Sequence, residues 1–207
     1  MQINMRRIKT IYFRNLHVNP VIKFLTYSDI LMLSGWGLIN PIIAVYFTDQ
    51  VKGGDLTLVG LSSTVYFLVK SFLQIPIARY IDYKKGERDD YWLLVLGSFV
   101  ITLCGFMYIF VSLPWHVYAV QFLYGIGGAL AYPSWQAIFT RHIDRNEEGF
   151  EWSLYYTSTD LGSALTAGLG SLIATVFGYY WVFLCVGFAS LLGTALLMGI
   201  YLDIRKK

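Results

Sequence analysis

Six long runs of apolar residues, separated by short polar intervals, dominate the chain: about Val21–Phe47, Leu58–Ile81, Tyr91–Val111, Trp115–Phe139, Trp152–Phe177 and Trp181–Leu202. Within each run the apolar residues cover most of a helical circumference, neither confined to one stripe nor alternating. At 1.5 Å per residue, about 20 helical residues cross a hydrocarbon layer of about 30 Å, a length that each run attains. A β-barrel would show shorter, alternating segments. The pattern predicts an all-α, polytopic membrane protein with six transmembrane helices. Pro41, Pro76 and Pro133 lie inside the runs and are expected to bend helices. Gly53-Gly54 marks a turn in the Asp49–Thr57 interval. Ser112–Pro114 and Gly178–Tyr180 are so short that the third and fourth runs, and the fifth and sixth, should be antiparallel neighbours.

Composition agrees: 207 residues with 56% hydrophobic and 14% charged lie outside the ordinary soluble range. The first run is too long for a signal-peptide core and lacks a small-residue cleavage site, so it is expected to stay in the mature protein. Charge then orients the chain. All but Lys52 and Lys70 of the sixteen Lys and Arg residues fall on one side of the six-run pattern. By the positive-inside rule this side is cytoplasmic, with both termini there and the chain in the cell membrane. Residues 1–20 read as a cytoplasmic juxtamembrane arm, 21–203 as a six-helix transmembrane domain and 204–207 as a cytoplasmic tail. The arm is an orientation signal or a contact for anionic headgroups of the lipid bilayer. Topology accounts for the basic residues, so no nucleic acid is expected as a partner.

Candidate chemistry is sparse. Cys104 and Cys185 lie inside runs and read as small apolar residues, and no His/Cys cluster suggests a metal or cofactor. No paired catalytic constellation points to an enzyme. Asp29, Lys70 and Asp160 are charged residues at membrane depth, where each needs the bundle interior, water or an opposite charge. An Asp29–Lys70 or Asp160–Lys70 pair would meet that need. The three are either a structural ion pair, substrate or ion ligands, or interfacial side chains. Asn40, Gln121 and Tyr124 join them as pathway candidates, and Asn40-Pro41 is expected to loosen the first helix. Tyr66, Gln74, Trp135, Gln136, Tyr155 and Tyr156 are further polar candidates, the aromatics serving as packing anchors or as ligand contacts. Ser158, Gly162, Thr166 and Gly170 recur every four residues as a small-residue ridge, for packing within one bundle or for sliding between two. Arg141–Glu151 is charged, is expected on the cytoplasmic side and has room for a short surface helix, to which ion pairing among Arg145, Glu147 and Glu148 would contribute little by itself.

Between the second and third runs stands Ile75-Pro76-Ile77-Ala78-Arg79-Tyr80-Ile81-Asp82-Tyr83-Lys84-Lys85-Gly86-Glu87-Arg88. Asp82 there is near Arg79, Lys84 and Arg88 and is placed for a charge-assisted hydrogen bond or a helix cap. Gly86 is expected to allow a turn that a side chain would disfavour. The stretch resembles the signature loop of the major facilitator superfamily, with Ala78, Asp82, Gly86 and Arg88 as positional matches. It departs from that loop at Ala78, where Gly is usual, at Tyr83, where a basic residue is usual, and by one extra residue before Gly86. The Gly-rich fourth run, Gln121 to Pro133, is similar to the family's fourth helix, although Gln121 stands where the family often has Arg. The fifth and sixth runs also look like the corresponding pair.

The resemblance implies a bundle of two three-helix repeats, matching the amino-terminal half of a transporter made of two such bundles. It implies that Arg79, Asp82, Gly86 and Arg88 form a cytoplasmic gate. The expected function is a secondary-transporter half moving a small solute by alternating access, with a second copy or a complementary six-helix half as partner. The alternative is a noncatalytic membrane assembly or regulatory subunit.

Overall fold

The computed structural model describes residues 18–84 and 86–201. Most of the basic arm, Lys85 and the carboxyl-terminal tail lie outside the described residues. The chain forms α1 (Pro20–Gly37), α2 (Ile43–Asp49), α3 (Leu56–Tyr83), α4 (Glu87–Met107), α5 (Pro114–His142), α6 (Glu148–Phe177) and α7 (Tyr179–Leu196). Single 3₁₀ turns extend α4 to Phe110 and α7 to Ile200. No strand occurs among the described residues.

Local sequence explains the boundaries. The Asn19 side chain accepts a hydrogen bond from Val21 N at 2.9 Å, and Pro20 occupies the first helical turn, where its missing N–H costs nothing. Asp55 caps α3 by accepting from Leu58 N at 2.8 Å. Gly178 joins α6 to α7 with φ of +91°, a conformation that a Cβ would strain. The expected single first span is two helices: α1 ends at Gly37, turns carry the chain through Asn40-Pro41, and α2 begins at Ile43. Pro lacks the N–H that a continuous helix would use. Pro76 and Pro133, by contrast, lie inside unbroken helices.

Among the described residues four helices are long and apolar enough to cross a membrane: Leu56–Tyr83, Glu87–Phe110, Glu148–Phe177 and Tyr179–Ile200. The chain is accordingly a multi-pass membrane protein. The other two long helices, α1 and α5, fall short of that apolar measure. Lys23 and Asp29 interrupt α1, while glycines, tyrosines and Gln121 dilute α5. Both are central in the packing, where neighbouring helices replace lipid. The main contacts of α5 are with α4 and α3; those of α1 are with α7 and α6. Across the middle α4 meets α7, where the Thr102 and Thr194 hydroxyls share a hydrogen bond of 3.1 Å. Ser28 Oγ donates to Gly193 O at 2.8 Å across α1 and α7.

Small residues allow these approaches. A Cβ on Gly97 would lie 2.5 Å from Ala131 N and 2.6 Å from Gly127 O, so α4 and α5 touch backbone to backbone. Of the ridge on α6, Gly162 faces Ser34, and Gly170 lies against the Leu38 backbone. A Cβ on Gly37 would come 2.5 Å from Thr166 Oγ1. The structure thus places three of the four ridge positions against the first helix region of the same chain.

Two apolar clusters fill the bundle. One joins Trp36, Tyr46, Phe47, Tyr108, Val117 and Phe183. The other joins Ile22, Leu25, Tyr91, Ile138, Phe139 and Ile200 at the end that carries the basic connections. The connection between α5 and α6 is an irregular turn with Asn146 at φ of 68°, not a separate surface helix, and Glu148 to Glu151 open α6 instead. Among the described residues no ion pair joins Arg145 to Glu147 or Glu148. Backbone turns take over there, with Glu147 N donating to Asp144 O at 3.0 Å.

Candidate functional site

Between the two apolar clusters five helices leave a cavity of about 270 Å³. Helical spacing brings its walls together. Asp29, Met32 and Leu33 share one face of α1, and Tyr66 and Lys70 are one turn apart on α3. Leu94, Ser98 and Ile101 come from α4, Gly128, Tyr132 and Trp135 from α5, and Tyr155 from α6.

Two opposite charges line this space without meeting. Asp29 Oδ2 accepts a hydrogen bond from the Tyr155 hydroxyl at 2.8 Å, across α1 and α6. Lys70 Nζ lies 4.5 Å from the Tyr132 ring centroid and 5.7 Å from that of Tyr66. Among the described residues no ion pair joins Lys70 to Asp29 or Asp160, so of the readings open from the sequence the structural salt bridge does not form. A hydroxyl and two aromatic faces compensate these charges in part, the rings through their negative π-faces. Aromatic packing fixes the walls. Tyr155 and Trp135 pack with centroids 4.7 Å apart, and Tyr66 stacks on Tyr124 at 4.9 Å.

The remaining pathway candidates lie elsewhere. Asp160 is exposed on α6, and Asn40 is exposed in the break after α1. Tyr124 touches the site through Tyr66 and also packs on Trp36 at 4.5 Å. Gln121 is buried on α5, two turns from the lining residue Gly128.

The loop after α3 also differs from expectation. Arg79, Asp82, Gly86 and Arg88 are all exposed. Among the described residues Asp82 forms no ion pair with Arg79, Lys84 or Arg88, and Lys84 Nζ pairs with Asp89 Oδ2 at 3.0 Å. Gly86 has φ of 175°, extended backbone open to any residue, and a Cβ there would meet nothing within 4 Å. The expected turn requirement is therefore absent.

The enclosed charges at this end come from residues that sequence reasoning left out of the site. Asp90, fully buried at the start of α4, pairs with Arg141 at the end of α5. His142 Nε2 lies 3.5 Å from Glu87 Oε2, while its Nδ1 is 2.9 Å from Ile138 O. Glu151 is buried and accepts from Asp144 N at 3.2 Å. The signal was available as register: Asp90 is one turn before Leu94 and two before Ser98, both on the face of α4 that lines the cavity.

The family model described as the Major Facilitator Superfamily matches residues 27–207. The chain is 23% identical over 173 residues to dipeptide and tripeptide permease B of Aliivibrio fischeri, an alignment covering 80% of this chain and 33% of the relative. It is 26% identical over 172 residues to an uncharacterized MFS-type transporter of Methanocaldococcus jannaschii, covering 83% and 42%. Over 149 residues it is 26% identical to multidrug resistance protein MdtH of Yersinia enterocolitica, covering 72% and 36%. The chain thus spans about a third to two fifths of the length of these curated relatives.

Proposed function

The chain belongs to the major facilitator superfamily, and on that premise we propose that it is one half of a secondary transporter that moves a small solute by alternating access. The observation that carries this reading is the cavity where Asp29 and Lys70, from α1 and α3, face one aromatic-walled space. Ionisable residues at membrane depth are costly and mark a pathway or a partner, and among the described residues neither finds an ion pair. The names of the relatives, a peptide permease and a multidrug resistance protein, favour transport while differing in cargo, so the cargo is left to the site's own chemistry.

On this reading the bundle crosses the cell membrane six times, α1 with α2 forming one span and α5 another. The basic end and both termini are cytoplasmic. The helix pairing supports two three-helix repeats. Exchanging α1, α3 and α4 for α5, α6 and α7 turns the α3–α5 contact into α6–α1 and the α4–α5 contact into α7–α1. The second bundle, a copy of this chain or a complementary half, covers α3 and α6. These two are the least enclosed of the four apolar spans. Arg79, Asp82, Gly86 and Arg88 gate the cytoplasmic side by meeting that bundle, which accounts for their exposure here.

Reconstituted vesicles provide the test, with labelled amino acids, dipeptides and cationic dyes offered separately for counterflow. At least one class should exchange, and Asp29→Asn and Lys70→Met should each lower its flux at least tenfold. A stable assembly that moves none of them would favour the alternative of a noncatalytic assembly or regulatory subunit.

A further inference from the structure

Asp29 and Lys70 present opposite charges to one cavity and leave both incompletely compensated. The Tyr155 hydroxyl engages Asp29 Oδ2, and among the described residues no hydrogen bond reaches the other carboxylate oxygen. The Lys70 ammonium has three N–H donors, and its contacts are the faces of Tyr132 and Tyr66, which offset charge without supplying a carboxylate. Each solute class can be weighed against this arrangement. A cation would satisfy Asp29 but add a like charge beside Lys70. An anion would satisfy Lys70 and repel Asp29. A neutral solute would displace water from both and pair with neither, leaving two desolvated charges. A molecule carrying both an ammonium and a carboxylate compensates the two together.

Volume and walls narrow the class further. This bundle's share of the cavity, about 270 Å³, already approaches the range of roughly 300–1,000 Å³ common for ligand pockets. Met32, Leu94, Tyr66, Tyr132 and Trp135 offer apolar and aromatic surface between the charged groups. We infer that this cavity binds a small zwitterion of amino-acid or dipeptide size, its ammonium on Asp29, its carboxylate on Lys70 and an apolar side chain against the aromatic wall. The inference rests on the transport reading for its biological setting, but binding can be measured without flux.

The test uses the purified chain in mild detergent, in whatever oligomer it forms, with four probes: L-phenylalanine, alanyl-phenylalanine, phenethylamine and 3-phenylpropionate. Binding is followed by calorimetry and by tryptophan fluorescence, to which the lining residue Trp135 contributes. At least one of the two zwitterions should bind at least tenfold more tightly than either singly charged analogue. Asp29→Asn should abolish the advantage over 3-phenylpropionate, and Lys70→Met the advantage over phenethylamine. If neither zwitterion binds the wild-type protein at least tenfold more tightly than both singly charged probes, the inference is overturned, as it is by binding of none of the four. The wild-type comparison decides even where a variant does not fold. Zwitterion binding without vesicle flux would remove the transport reading and keep this one. Flux of a solute whose affinity ignores Lys70→Met would do the reverse.

Discussion

The Tyr155 hydroxyl donates a 2.8 Å hydrogen bond to Asp29, tying α6 to α1 at the wall of the cavity. The ring of Tyr155 is held independently, packed 4.7 Å from Trp135. Tyr155→Phe keeps that packing and removes only the donor. A hydrogen bond to a charged group contributes about 1.5–3 kcal/mol, so denaturant unfolding in detergent should show a loss of that order. Unchanged stability would mean that the bond adds nothing net.

Asp90 is fully buried and depends on Arg141 for its charge partner. Its Oδ1 has no hydrogen-bond partner among the described residues. Arg141→Met leaves a carboxylate buried and unpaired, a class of change that costs about 3–5 kcal/mol when both partners are enclosed. Arg141 is partly exposed to solvent, so about 2–3 kcal/mol is expected here. Adding Asp90→Leu should recover most of the loss in the same unfolding measurement.

Gly97 and Gly60 make a matched pair. A Cβ at Gly97 would strike the α5 backbone, whereas one at Gly60 would meet nothing within 4 Å. Gly97→Val should therefore destabilise by more than the ~1–3 kcal/mol typical of overpacking, because backbone cannot yield as a side chain can. Gly60→Ala should be neutral or stabilising by up to about 1 kcal/mol. Thermal melting of the two variants side by side distinguishes them.

Asp82 makes no ion pair with Arg79, Lys84 or Arg88, so Asp82→Asn should change the melting behaviour little, within about 0.5 kcal/mol. If the exposed loop gates against a second bundle, the same variant should lower vesicle flux severalfold. Wild-type flux with wild-type stability would exclude the gate.

Leu165 on α6 is 72% exposed, in a helix that the proposed second bundle covers. Cys185, exposed on α7, faces away in the same reading. In native membranes a short thiol cross-linker should join Leu165→Cys in a Cys185→Ser background to a second chain. The wild-type protein, bearing Cys185, should stay uncross-linked. The opposite pattern would put the interface on α7.

Much of the architecture was legible in the residue pattern because hydrophobic burial in a membrane acts over whole helices. The four most apolar spans stand out by length and hydropathy together, and the short connections at Ser112 and Gly178 match the observed turns. Asn40-Pro41 marked the break after α1 because a missing N–H is a local fact. Ion pairing was not legible. A pair of Lys70 with Asp29 or Asp160 was one open reading, yet Lys70 rests on Tyr132 and Tyr66, while Asp160 faces outward. Lys84 chose Asp89 over Asp82.

The sequence by itself determined the class of protein, most of its helices, the likeness to its family and the presence of charged residues inside the apolar runs. Each depends on composition or on neighbours within a turn or two along one helix. Only the tertiary structure decided that Asp29 and Lys70 share a cavity without pairing, that Tyr155 holds the carboxylate, and that the buried Asp90 pairs with Arg141. These relations depend on how α1, α3, α4, α5 and α6 are rotated and set against one another. That choice is made by close contacts such as Gly97 on Ala131, between residues far apart in the chain.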